Sequence, residues 1–298
     1  VCLPDAWRGW WLRCSGMKAN SEEQLVRILA CTVLWIAVAA VGQVVPLTDG
    51  PGADTEAAWS PDGKQIVFQR GRDGDADLVI LDVATGKERA PVAGPGDARY
   101  PCWSPDGKTI VYSFAHITTT ARQGIANGYN LFSISPTGGE PKRLTSGLVR
   151  DYTPSFSPDG KELLFATTRG LEHNNAALHA MTLSNGEMRP VIQFGSTNMG
   201  AVSPAVSPDG RLLAFASQNG LRANWRIMVA RMADPGLRAP LTEPEMPMYG
   251  PRWSPDGTML ACTGYRVGDL GWGIYLIRIA DGALARLATG EGNARSAS

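Results

Sequence analysis

Short apolar runs, each four to six residues long, recur along the chain between polar turns rich in Gly, Pro, Asp and Ser. Five stretches carry the same sequence at the break: Trp59-Ser-Pro-Asp-Gly63, Trp103-Ser-Pro-Asp-Gly107, Phe156-Ser-Pro-Asp-Gly160, Val206-Ser-Pro-Asp-Gly210 and Trp253-Ser-Pro-Asp-Gly257. Proline presets φ for the first central turn position, aspartate tolerates the second and glycine takes the left-handed one that follows, so each stretch predicts a hairpin. An apolar strand precedes the turn, as in Tyr100-Pro-Cys-Trp103, and a β-rich strand follows it, as in Thr109 to Phe114 or Leu212 to Phe215.

A third strand is expected at Leu78–Leu81, Leu131–Ile134, Leu178–Met181, Ile227–Ala230 and Ile274–Ile277. A second turn then closes each unit, at Ala84-Thr-Gly86, Pro136 to Gly139, Ser184-Asn-Gly186, Asp234-Pro-Gly236 and Ala280-Asp-Gly282. The fourth strand ends in Leu-Thr at 144–145 and 241–242. The motif serines at 60, 104, 157, 207 and 254 are spaced by 44, 53, 50 and 47 residues, the period of a four-stranded propeller blade. The fold class expected is therefore all-β: a β-propeller with five blades visible.

The Ser-Pro-Asp-Gly turns, Thr-Gly-type turns and Leu-Thr endings resemble the TolB-type, WD-like propeller repeat family over residues 44 to 290. The resemblance implies an exported scaffold of the bacterial envelope that docks a protein partner, in that family an outer-membrane lipoprotein. It also leaves two alternatives open: the N-terminal propeller of a prolyl-oligopeptidase-like hydrolase, and the ectodomain of a membrane-anchored sensor. Val44 to Thr48 matches a stray fourth strand with its Leu-Thr ending, and residues 290–298 resemble the approach to a further tryptophan. A sixth, truncated blade is the expectation.

Residues 17–42 read as a signal peptide or membrane anchor, because a polar start with Lys18 and Arg27 leads into the apolar run Ile28 to Gly42. Fifteen helical residues reach about 22 Å against a hydrocarbon core of roughly 30 Å, so spanning requires the residues after Gly42. Residues 1–16 read as an unstructured extension, leaving 43–298 for the propeller and a periplasmic or extracellular location.

Twenty-eight basic residues balance 28 acidic ones, so no nucleic acid is implied and a membrane enters only through the N-terminal segment. Cys102 and Cys262 fall in the repeats and read as buried small hydrophobes.

Short turns mark one face of such a propeller. Variable loops at 70–76, 115–130, 169–176, 218–224 and 265–273 mark the other, which is the expected binding face. Arg99, Tyr100, Asp151, Tyr152 and Tyr249 stand where inner strands begin on that face, and tyrosine and arginine are the side chains interfaces favour. Asp73, Asp75 and Asp77 alternate like a calcium loop but lack its glycine and its closing acid. His116 and His173, in corresponding loops, resemble the metal-holding histidines of propeller-type pectate-degrading lyases, but no third ligand accompanies them. No cofactor is expected. No Gly-x-Ser-x-Gly elbow, phosphate loop or Cys-x-x-Cys pair occurs, so no catalytic residue is assigned and the chain reads as a binder.

Overall fold

The computed structural model describes residues 47–48, 54–72, 75–115, 128–171, 175–194, 199–220, 224–266, 268–269 and 271–287. The segments read as extension and leader, together with Asp73, His116 and His173, lie outside the described residues. Of the stray strand proposed at 44–48, only Leu47 and Thr48 are described, and neither is in a strand.

Five antiparallel sheets of four strands follow one another, each ordered as the chain runs. The first holds β1 (Asp54–Trp59), β2 (Gln65–Arg72), β3 (Asp75–Asp82) and β4 (Glu88–Val92). The second holds β5 (Asp97–Trp103), β6 (Ile110–Ala115), β7 (Asn130–Ile134) and β8 (Lys142–Arg143). The third holds β9 (Asp151–Phe156), β10 (Glu162–Thr167), β11 (Ala177–Thr182) and β12 (Met188–Ile192). The fourth holds β13 (Met199–Val206), β14 (Leu212–Asn219), β15 (Arg226–Arg231) and β16 (Asp234–Pro240). The fifth holds β17 (Met248–Trp253), β18 (Met259–Gly264), β19 (Gly273–Arg278) and β20 (Leu284–Arg286). This is the expected blade architecture, and all five expected third strands fall inside β3, β7, β11, β15 and β19.

The Ser-Pro-Asp-Gly turns are built alike. In the second sheet the Ser104 hydroxyl donates to Asp106 Oδ1 at 2.6 Å, and the Lys108 amide donates to the same oxygen at 3.1 Å. The Thr109 amide donates to Ser104 Oγ at 3.0 Å, while Gly107 takes φ of 71°. These contacts hold Asp106 below its ordinary pKa, the serine hydroxyl being the largest cause, and the same holds for Asp62, Asp159, Asp209 and Asp256. A carboxyl with a depressed folded-state pKa adds stability above its unfolded pKa and loses it as pH falls through the folded value. The melting temperature is therefore expected to fall as pH drops below about 4, the reference carboxylate pKa. Ser104→Ala removes one donor, and a melting series should show a shallower acid slope for S104A than for the parent.

The second turns sit where expected at Gly86, Gly138, Gly186 and Gly282, each with positive φ. The fourth sheet differs. Its hairpin turns at Met232-Ala233, and Asp234-Pro-Gly236 is already strand β16, paired from Arg231↔Asp234 onward. The Met232 amide donates to Arg211 O at 2.9 Å, as Val83, Leu183 and Ile279 do to Lys64 O, Lys161 O and Thr258 O in other sheets, so the fourth sheet keeps this shared contact and reverses directly after it. The Leu-Thr endings also acquire a purpose. Thr145 Oγ1 accepts the Leu131 amide at 2.9 Å and Thr242 Oγ1 accepts the Ile227 amide at 3.0 Å, so a hydroxyl satisfies the first buried donor of a third strand.

Four apolar cores lie between consecutive sheets. One, between the third and fourth sheets, centres on Leu164, Leu178, Leu213 and Phe215. Trp103 and Trp253 stitch neighbours together by donating Nε1–H to Ala58 O at 3.1 Å and Ala205 O at 2.9 Å. Every substantial contact between sheets joins neighbours in sequence; among the described residues no strand of the fifth sheet packs comparably on the first. Trp59 of the first sheet is 42% exposed.

Candidate functional site

The innermost strands β1, β5, β9, β13 and β17 surround one axis, and each is interrupted by a register shift against its neighbour. At the interruption one residue per strand adopts the left-handed conformation: Glu56 (φ 54°), Tyr100 (53°), Thr153 (50°), Ser203 (54°) and Gly250 (57°). Each stands three positions before the aromatic or valine that opens its Ser-Pro-Asp-Gly turn. In four of the strands proline follows at once, at Pro101, Pro154, Pro204 and Pro251, removing a ladder donor at the bulge. A non-glycine residue in this conformation costs about 1–2 kcal/mol. Four such residues on one ring are bulges that re-aim side chains toward the axis. Side chains hold the bulges in place, since the Ser203 amide donates to Thr153 Oγ1 of the preceding sheet at 3.0 Å.

The ring opens on the variable-loop side into a cavity of about 520 Å3 to which all five inner strands contribute. Tyr100 and Tyr152 form one wall, their rings 6.2 Å apart. Trp225, Tyr249 and Trp272 form another, with ring centroids 5.8 Å and 5.6 Å apart. Gly200 makes room for this wall, because a Cβ there would meet the Trp225 ring at 3.1 Å. Glu56 and Arg252 supply the charged groups of the lining. Burial holds the Glu56 carboxyl above its ordinary pKa, against the opposing pull of Arg252 and Arg99. Burial likewise pushes the Tyr152 phenol up to about 12. On the turn side the axis opens into a second cavity of about 360 Å3, ringed by turn prolines, Trp59, Trp103, Phe156 and Trp253, and Arg252 lines both.

Of the residues singled out in the sequence, Tyr100, Tyr152 and Tyr249 therefore meet at one mouth. Arg99 lies beside them but pairs with Asp97 at 2.8 Å, a carboxylate that also accepts the Tyr129 hydroxyl. Asp151 does not line the cavity: its side chain is fully buried, accepting from Thr167 Oγ1 at 2.6 Å and from Arg169 Nη2 at 2.5 Å. Its position is structural, tying β9 to the end of β10. Among the described residues no three His, Cys, Asp or Glu side chains group as metal ligands. His179, in β11, is held below its ordinary pKa by burial. Glu56, Thr153, Ser203, Trp225, Arg252 and Trp272 were not singled out in the sequence. The proline two residues before four of the five turn motifs was the signal for the bulge positions.

The family described as "TolB beta propeller domain" matches residues 75–239. The chain is 30% identical over 161 residues to the uncharacterized peptidase YuxL of Bacillus subtilis (strain 168), covering 45% of this chain and 24% of that protein. It is 31% identical over 112 residues to the TolB homolog of Chlorobium chlorochromatii (strain CaD3), covering 38% of this chain and 23% of that protein. The chain thus matches only about a quarter of the length of either relative. Among solved structures, TolB from Acinetobacter baumannii superposes with a TM-score of 0.67 at 18% identity, covering 84% of this chain and 57% of that one.

Proposed function

Because the chain belongs to the TolB beta propeller domain family, we propose that it is an exported scaffold that binds a protein partner through its variable-loop face. The observation that carries this reading is the axial mouth, where strained bulges of successive inner strands surround a cavity walled by Tyr100, Tyr152, Trp225, Tyr249 and Trp272. Tyrosine and tryptophan present large rigid contact area at low entropic cost, and they are the anchors that recognition sites reuse. Export rests on the apolar run Ile28 to Gly42.

The full chain, tagged and incubated with bacterial envelope extract, should retain a partner that a Tyr249→Ala, Trp272→Ala double variant releases. Equal retention by parent and variant would remove this face from the binding role. A second reading, the propeller of a larger peptidase, draws support from the match to YuxL. A Gly-x-Ser-x-Gly elbow encoded in the same reading frame would favour it.

A further inference from the structure

Arg252 lies at the junction of the two axial cavities and is the one residue that lines both among those described. Its guanidinium is half-buried, and its hydrogen bond among the described residues is to the carbonyl of its own neighbour, Pro251, at 3.1 Å. A guanidinium carries five N–H donors in a fixed fork, and withdrawing such a charge from water without a counter-charge is unfavourable. The other arginine of an inner strand, Arg99, pairs with Asp97, and the partly buried Arg70 and Arg169 pair with Asp54 and Glu88 and with Asp151. Glu56 faces the same cavity without forming an ion pair with Arg252. Arg252 thus borders both cavities with donors beyond the one that Pro251 O accepts.

The larger cavity has the character of a small-molecule pocket. Its volume of about 520 Å3 falls within the roughly 300–1,000 Å3 of such sites, which combine aromatic walls with a few polar groups. The Tyr100–Tyr152 pair and the Trp225–Tyr249–Trp272 wall offer ring faces, and Thr153, Ser203 and Thr263 offer hydroxyls. A single guanidinium fork matches one carboxylate bidentately. A phosphate or sulfate site gathers several cations or backbone amides, and the lining supplies one arginine.

We propose that the axial cavity binds a small organic carboxylate, its ring against the aromatic walls and its carboxylate on Arg252. The proposal rests on the reading of the loop face as the binding face and adds the ligand class. Glu56, on the same cavity wall, competes with an incoming carboxylate for Arg252, and burial raises its pKa against the pull of that arginine.

The test uses the full chain and a matched pair of probes, phenylacetate and phenylacetamide, titrated by ligand-observed NMR. Phenylacetate is expected to bind at least about tenfold more tightly than the amide, the discrimination a desolvated charge-assisted pair provides. Arg252→Gln should erase the difference, whereas Glu56→Gln should leave phenylacetate binding unchanged or tighter. Trp272→Ala should weaken both probes together. Equal binding of acid and amide by the parent, no binding of either, or an unchanged preference in R252Q overturns the proposal. Should R252Q fail to fold, the parent's acid-to-amide ratio and the direction of the Glu56→Gln effect still decide. Loss of probe binding with partner capture intact sinks the ligand site alone, whereas loss of capture bears on the loop face itself.

Discussion

Phe215→Ala is expected to destabilise the protein by about 3–5 kcal/mol, the range for truncating a fully buried phenylalanine. Phe215 is 0% exposed and sits in β14 among Leu213, Leu164, Leu178, Ala201 and Ala230, so its ring fills the seam between the third and fourth sheets. In a repeat array each unit is stabilised chiefly by contacts with its neighbours, and a cavity there weakens both adjoining sheets. Urea titration followed by circular dichroism should show a lower midpoint with little change in slope. Leu237→Ala is the control: that side chain is 68% exposed and should change stability by less than about 0.5 kcal/mol. Similar effects from the two variants would mean that the inter-sheet seam is not where the fold is held.

Asp151→Ala should cost about 3 kcal/mol, the lower end of the range for removing one partner of a buried ion pair. The Asp151 side chain is 0% exposed and that of Arg169 is 26% exposed, so the arginine regains some water when its partner goes. The loss is compounded because Thr167 Oγ1 also donates to Asp151, while Arg169 Nη2 bridges on to Ser146 O at 2.7 Å. The corresponding pair in the first sheet, Asp54 with Arg70, is more open, at 15% and 26% exposed. Asp54→Ala should therefore cost less, about 1–2 kcal/mol, because Arg70 keeps the Glu88 carboxylate when Asp54 goes. Thermal melts of D151A and D54A test the ranking, and a loss in D54A as large as in D151A would contradict it.

The blade arithmetic was legible because turn chemistry is local. Pro-Asp-Gly can do little else than reverse the chain, and its serine and aspartate form the same short-range hydrogen bonds in the first sheet as in the second. The same local reasoning failed once, at Asp234-Pro-Gly236, where Met232 and Ala233 reverse the chain first and Pro-Gly is taken into the outer strand β16, where a proline is tolerated.

The candidate site was half legible. Three tyrosines at strand starts pointed to the mouth, but Trp225 and Trp272 reach it from loops whose course no periodicity encodes. Asp151 carried the same sequence signal as its neighbour Tyr152, yet the pleat sends one side chain to Arg169 and the other to the axis. Glu56 and Arg252 were invisible because each sits on its own strand, about 200 residues apart, and only the curvature of the array brings both to one cavity.

The ring of bulges has a consequence for how such a protein can change over generations. The backbone bulge, in four strands with the proline that follows it, fixes where each axial side chain points, while the residue itself is Glu at 56, Tyr at 100, Thr at 153, Ser at 203 and Gly at 250. Position and identity are thus inherited separately. A single codon change at any of these sockets alters the chemistry of the cavity lining while the strands that hold it stay in place, and only drift toward glycine relieves the strained backbone. Selection for stability alone would favour glycine at all five sockets, so the four side chains present there stand at a cost in backbone strain.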